Sequence, residues 1–162
     1  MSDLREYKCP ACGGAIEFDS KSQKMKCPYC DTEFELETLK ELDEQGRMKY
    51  TQKYMQHSDI SVYKHCISVA YTSVELADRL AWNVNRRELI RGALLHDYFL
   101  YDWHEKSTWH RWHGFSHPFR AAGNARKIFE INEKEKHIIE SHMWPLTLRH
   151  MPGSREAAIV CL

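Results

Sequence analysis

Four histidines and one aspartate in the second part of this chain have the types and placement of a metal centre: His65, the dipeptide His96-Asp97, His117 and His142. Imidazole and carboxylate together suit a hydrolytic first-row metal, and one shared carboxylate can bridge two ions about 3.5–4 Å apart. All ten histidines lie after residue 56. A second set sits at the other end, with Cys9, Cys12, Cys27 and Cys30 spaced Cys-x2-Cys-x14-Cys-x2-Cys. Two Cys-x-x-Cys turns can each present two thiolates on one side, and packed together they close a tetrahedron around Zn²⁺. Cys66 and Cys161 stand alone.

Around the four cysteines the chain alternates apolar and polar residues in short runs: Ala15 to Asp19, Lys24 to Lys26 and Glu33 to Leu36. Such runs read as short strands. A unit this small has almost no core of its own, and a metal is the available staple. The unit resembles the zinc-ribbon family over residues 7–36. That resemblance implies one structural zinc held by Cys9, Cys12, Cys27 and Cys30. The competing reading is a redox Cys-x-x-Cys pair, but such motifs seldom come doubled at this spacing. What a ribbon here would bind stays open between nucleic acid, a protein partner and simple structural support.

The histidines need helices to aim them. From Ser58 onward the apolar period is helical, with Val62, Cys66, Val69, Ala70, Ala77 and Leu80 on one face and His65 among them. A second helix is expected over 86–100, carrying Leu89, Ile90, Ala93 and Leu94 inward and His96-Asp97 near its end. Polar groups there are costly to bury unpaired, and a metal removes that cost. An aromatic, histidine-rich loop follows, from Tyr101 to Phe115. Pro118 marks a third helix start, with His117 just before it. Asn132 and Glu135 form a cap signature for a fourth helix, on which His142 follows Ile138 and Ile139 by four and three residues. Ser154 can cap a fifth helix ending in Ala157 to Leu162. Four helices can therefore aim ligands at one interior point. A lone histidine is most often a satisfied core or surface residue; the order and inward facing of the set weigh against that here.

This part of the chain resembles the HD-domain superfamily of metal-dependent phosphohydrolases over residues 57–162. The words that carry the likeness are Ser61-Val62-Tyr63-Lys64-His65-Cys66, Leu94-Leu95-His96-Asp97 and His142-Met143-Trp144-Pro145. The resemblance implies that His65, His96 and Asp97 take the family's first three ligand positions, with His117 and His142 in the two that mark dinuclear members. It implies divalent ions (Mn, Fe, Mg or Zn) and hydrolysis of a phosphorylated small molecule or nucleotide. Arg120, three residues past His117, could hold a phosphate oxygen, and His113 could line the entrance or donate a proton. His104 and His110 are candidates for the same entrance role; the bland readings are a solvated helix residue for Arg120 and a packed loop for these histidines, and the packed loop is preferred for His104 and His110. The family's final Asp has no counterpart, since no Asp follows Asp102. Because the chain breaks off inside an apolar stretch, truncation is the expectation, with an inactive chain as one consequence. The alternatives are a di-iron oxygenase on the same ligands and a non-catalytic module in which the ribbon docks a partner.

The overall expectation is a mainly α protein, an HD-type helical bundle preceded by a small β zinc ribbon: residues 1–40 ribbon, 41–56 a helical linker, 57–162 the HD domain. Composition agrees with two units. Of the 162 residues 43% are hydrophobic, enough to bury a core. The net charge is zero, yet residues 1–45 carry −5 and residues 46–162 carry +5. An acidic head does not support nucleic-acid binding, whose affinity rests on phosphate contacts. No apolar run reaches the roughly 18–20 residues of a bilayer span, and the first residues lack a signal-peptide core. A cytoplasmic protein without membrane partners is expected.

Overall fold

The computed structural model describes residues 17–19, 24–26, 33–34, 38, 41–42, 48–57, 60–101 and 112–162. Near the N-terminus, strand β1 (Glu17–Asp19) pairs antiparallel with β2 (Lys24–Lys26), and β2 with β3 (Glu33–Phe34). The register sets Phe18 opposite Met25 and Met25 opposite Phe34. The four paired cysteines lie outside the described residues.

The region expected as a helical linker over 41–56 is different in kind. Glu41 and Leu42 are helical, but Met48–Lys53 is a 3-10 turn, and β4 (Met55–His57) pairs with β5 (Ile60–Ser61). Leu42 and Met48 are fully buried in the main hydrophobic cluster. Burial is what overrides the weak helical pattern: this strap is part of the helical body, not a charged spacer beside it. Thr51 Oγ1 closes the turn by donating to the Met48 carbonyl at 2.6 Å.

Helix α1 (Val62–Arg79) starts four residues later than the periodicity suggests and is capped by Ser61, whose side chain accepts from the Lys64 N–H. The Val62 N–H, outside the helix ladder, donates to the Tyr54 carbonyl of the strap at 2.8 Å. Val62, Cys66, Ala70 and Ala77 recur at helical spacing and are buried. Helix α2 (Arg86–Leu95) is capped by the Asn85 side chain and is buried from Leu89 to Leu95. Helix α3 (His113–Phe129) begins inside the expected loop, so Pro118 sits in its second turn instead of at its start. It ends at Glu130, which takes the left-handed conformation at φ 47°. Helix α4 (Glu133–Ser141) opens with a full capping box between Asn132 and Glu135. Helix α5 (Arg155–Cys161) is capped by Ser154.

Helix α2 is the central element, packed on α1, α4 and α5, while α3 lies against α4. Its approach to α4 is close because position 92 is glycine. A Cβ there would sit 2.6 Å from Cγ2 of Ile138. Among the described residues no helix is long and apolar enough to cross a membrane.

Candidate metal centre

Each helix delivers its polar side chain from a specific place. His65 lies in the first turn of α1, next to buried Val62 and Cys66. His96 is the C-cap residue of α2 and Asp97 follows it, so both leave the helix where its ladder ends. His117 is on the buried face of α3, and His142 is the C-cap residue of α4. The sequence-derived set is therefore gathered from four elements into one place.

The geometry centres on Asp97, which is 2% exposed. Its Oδ2 lies 3.3 Å from His96 Nε2 and 3.5 Å from His65 Nε2. Its Oδ1 lies 3.3 Å from His117 Nε2 and 3.5 Å from His142 Nε2. Each carboxylate oxygen thus faces one pair of imidazoles. Within the pairs the ring nitrogens approach closely, at 3.2 Å for His96–His65 and 2.9 Å for His117–His142. Two groups of three donors result, His65/His96/Asp97 and Asp97/His117/His142, each with its donor atoms within 4.8 Å of one another.

Backbone carbonyls set which nitrogen faces inward. His96 Nδ1 donates to Ala93 O at 2.6 Å, His117 Nδ1 to His113 O at 2.8 Å, and His142 Nδ1 to Ile139 O at 2.7 Å. With Nδ1–H committed, Nε2 is the nitrogen aimed at the cluster, the arrangement that orients histidine toward a cation. Burial would lower His96, but the charge of Asp97 and then Cys66 outweigh it and hold the imidazole well above its ordinary range. Burial would raise Asp97, but the His96 charge and the hydrogen bonds from His117 and His96 hold it well below the usual carboxylate range. His142 is pushed down to about 3, by burial first and then by the charge on His96. A ring held neutral in this way keeps a lone pair available. His65 is the member that solvent reaches, with 30% of its side chain exposed.

Of the two residues expected to meet substrate, both fall beside this cluster. The His113 ring stacks on His117 at 4.6 Å with planes 16° apart. Arg120, one turn on from His117, places its Cζ 5.3 Å above the Tyr101 ring. Tyr101 itself was not singled out by spacing. Its hydroxyl lies 2.8 Å from His113 Nδ1, and no pattern in the sequence links a loop tyrosine to a histidine twelve residues on. Cys66, readable only as a core residue, is fully buried and interacts with His96; burial pushes its thiol up. His104 and His110 lie outside the described residues.

Paired imidazoles around a shared, ionised carboxylate are a nitrogen-rich, hard-to-borderline donor set. It fits first-row divalent cations, and its two halves fit two of them. The family model described as the HD domain matches residues 62–162, more than half of the chain. No curated protein and no solved structure matches it.

Proposed function

We propose, from the premise that this chain belongs to the HD-domain family, that it is a metal-dependent phosphohydrolase acting on a phosphorylated small molecule or nucleotide. The observation that carries this reading is Asp97, each of whose oxygens faces its own pair of imidazole Nε2 atoms. His65 and His96 would hold one ion, His117 and His142 the other, with Asp97 shared. Divalent ions bound there supply a water acidified toward neutrality and a polarised phosphoryl oxygen.

The chain's own residues do the rest. The carbonyls of Ala93, His113 and Ile139 fix three imidazoles before any ligand arrives, so no orienting cost falls on binding. Phe99 sets its ring edge-on to His113 and His117, at centroid distances of 4.9 Å and 5.8 Å, and keeps water from that side. Arg120 presents a planar cation matched to phosphate oxygens. His113 offers Nε2 on the same helix face, one turn before His117. The basic balance of residues 46–162 suits an anionic substrate.

The N-terminal unit fits a structural zinc on Cys9, Cys12, Cys27 and Cys30, supported by their spacing and by the three-stranded pairing of β1, β2 and β3. A protein is the partner proposed for it, and the cytoplasm the compartment in which free thiolates persist.

The test combines metal analysis with turnover. The purified chain should carry one zinc on its cysteines and about two further divalent ions, and should release phosphate from p-nitrophenyl phosphate or a nucleotide with Mn²⁺. Zinc alone, with no second metal under any loading, would sink the dinuclear reading. Oxygen uptake by the iron-loaded chain, with no phosphate release, would transfer the same ligands to oxygenase chemistry.

A further inference from the structure

We propose that Tyr101 is the positioning residue of the phosphate-facing side of this site, holding His113 by a hydrogen bond and Arg120 by its ring face so that both present N–H groups to one phosphoryl oxygen cluster; this rests on the phosphohydrolase reading. Three independent contacts converge on this one side chain. Its hydroxyl reaches His113 Nδ1 at 2.8 Å. Its ring lies beneath the Arg120 guanidinium at 5.3 Å. Phe99, which also packs edge-on to His113 and His117, tilts against it at 5.0 Å. Tyr101 is 9% exposed, so its own rotamer is held by packing.

The consequence is a choice of tautomer. Burial raises the phenol, with the Arg120 charge partly offsetting it, so the hydroxyl keeps its proton. An O–H that donates to Nδ1 leaves the proton of a neutral His113 on Nε2. His113 then differs from its stacked neighbour. His117 spends Nδ1–H on a carbonyl and turns Nε2 to Asp97, while His113 gives Nδ1 to the Tyr101 hydroxyl and keeps its N–H on Nε2. One ring accepts a cation and the adjacent ring donates to an anion. Arg120, at helical spacing of four and then three residues from His113 through His117, adds a second donor on the same face.

The experiment uses the full chain and inorganic phosphate as the probe. Nitrogen-15 NMR of the imidazoles should give His113 a protonated Nε2 in the parent, and a mixed tautomer in Tyr101→Phe. With Mn²⁺ loaded, Tyr101→Phe should weaken phosphate binding about fivefold, the effect of one ordered hydrogen bond. Tyr101→Leu, which also removes the ring under Arg120, should weaken it a further ~3-fold. Metal content should be the same in all three. The pair His113→Ala and His113→Ala/Tyr101→Phe should bind phosphate equally, because the hydroxyl acts through His113. Unchanged phosphate affinity in Tyr101→Phe, or a His113 protonated on Nδ1 in the parent, would overturn the proposal. A parent that loads metal but binds no phosphate overturns it too and leaves the metal centre standing. A parent that loads no metal beyond zinc sinks the metal-dependent reading itself, and the tautomer measurement still decides what Tyr101 does.

Discussion

Two charged clusters are buried in this fold to nearly the same depth, and they differ in what faces what. Around Arg91, which is 4% exposed, each guanidinium nitrogen meets an acceptor: Nε donates to Glu135 Oε1 at 2.7 Å, Nη1 to Glu41 Oε1 at 3.2 Å and Nη2 to the Phe129 carbonyl at 2.8 Å. Glu135 in turn accepts from the Asn132 N–H through its second oxygen. Around Asp97 the inward-facing atoms are a carboxylate and four imidazole nitrogens, and three of those rings have already committed Nδ1–H to carbonyls. The first cluster is neutralised by its own members. The second turns four imidazole nitrogens toward one carboxylate, a donor set that a divalent cation completes by taking the place of the protons shared there. Burial of charge therefore does not mark a site by itself; the donor types that face one another do.

The comparison breaks most visibly at Asp97. Asp97→Asn should keep the chain folded by circular dichroism while lowering divalent-ion affinity by on the order of 100-fold or more, beyond what loss of a supporting hydrogen bond alone costs. Metal content indistinguishable from the parent would mean that the cluster is a second structural network. At Arg91 the opposite pattern is expected. Arg91→Ala leaves two carboxylates facing a void and should cost about 3–5 kcal/mol in urea unfolding, with the folded fraction still loading metal. Arg91→Met combined with Glu135→Gln should recover about 1–3 kcal/mol of that loss, since no uncompensated charge is left against the buried amide. The smallest effect lies at the edge of the bundle. Glu156 accepts from the Asn85 N–H and from Lys134 Nζ, both at 2.8 Å. Burial opposes its ionisation, but Lys134 and the Asn85 amide hold its carboxyl below the usual range. The stability this contributes is complete above the ordinary carboxylate range and is lost as pH falls through the lowered folded value. Glu156→Gln should therefore cost about 1 kcal/mol near neutrality and progressively less in acid, as read by urea unfolding across pH. A difference that grows toward acid would reverse the sign assigned to Glu156.

The sequence made some of this plain and hid the rest, for physical reasons. The Asn132/Glu135 cap and the Ser154 cap are local chemistry, complete within a turn, and they stand where the pattern puts them. The histidine set was legible because each member sits on or at the end of an apolar helical face. The strap over 48–57 was misread because a 3-10 turn and a three-residue strand are too short to impose a period. The start of α3 was misread because Pro118 is tolerated one turn deeper than the position it favours. The Arg91 network joins Glu41 and Glu135, 50 and 44 residues away, and no spacing rule links such partners. Tyr101 escaped for the same reason at shorter range: its value comes from where the chain turns after α2, not from its neighbours in sequence.

Gly92 has a consequence beyond helix packing. It is four residues before His96 on α2, and it touches Ile138, four residues before His142 on α4. The missing methyl group at that contact works as a gauge between the two halves of the site. Any side chain added there would act as a shim, widening the gap between the His96 and His142 anchor points without altering a single donor. The distance between the two histidine anchor points is thus set partly by an apolar contact one turn below them.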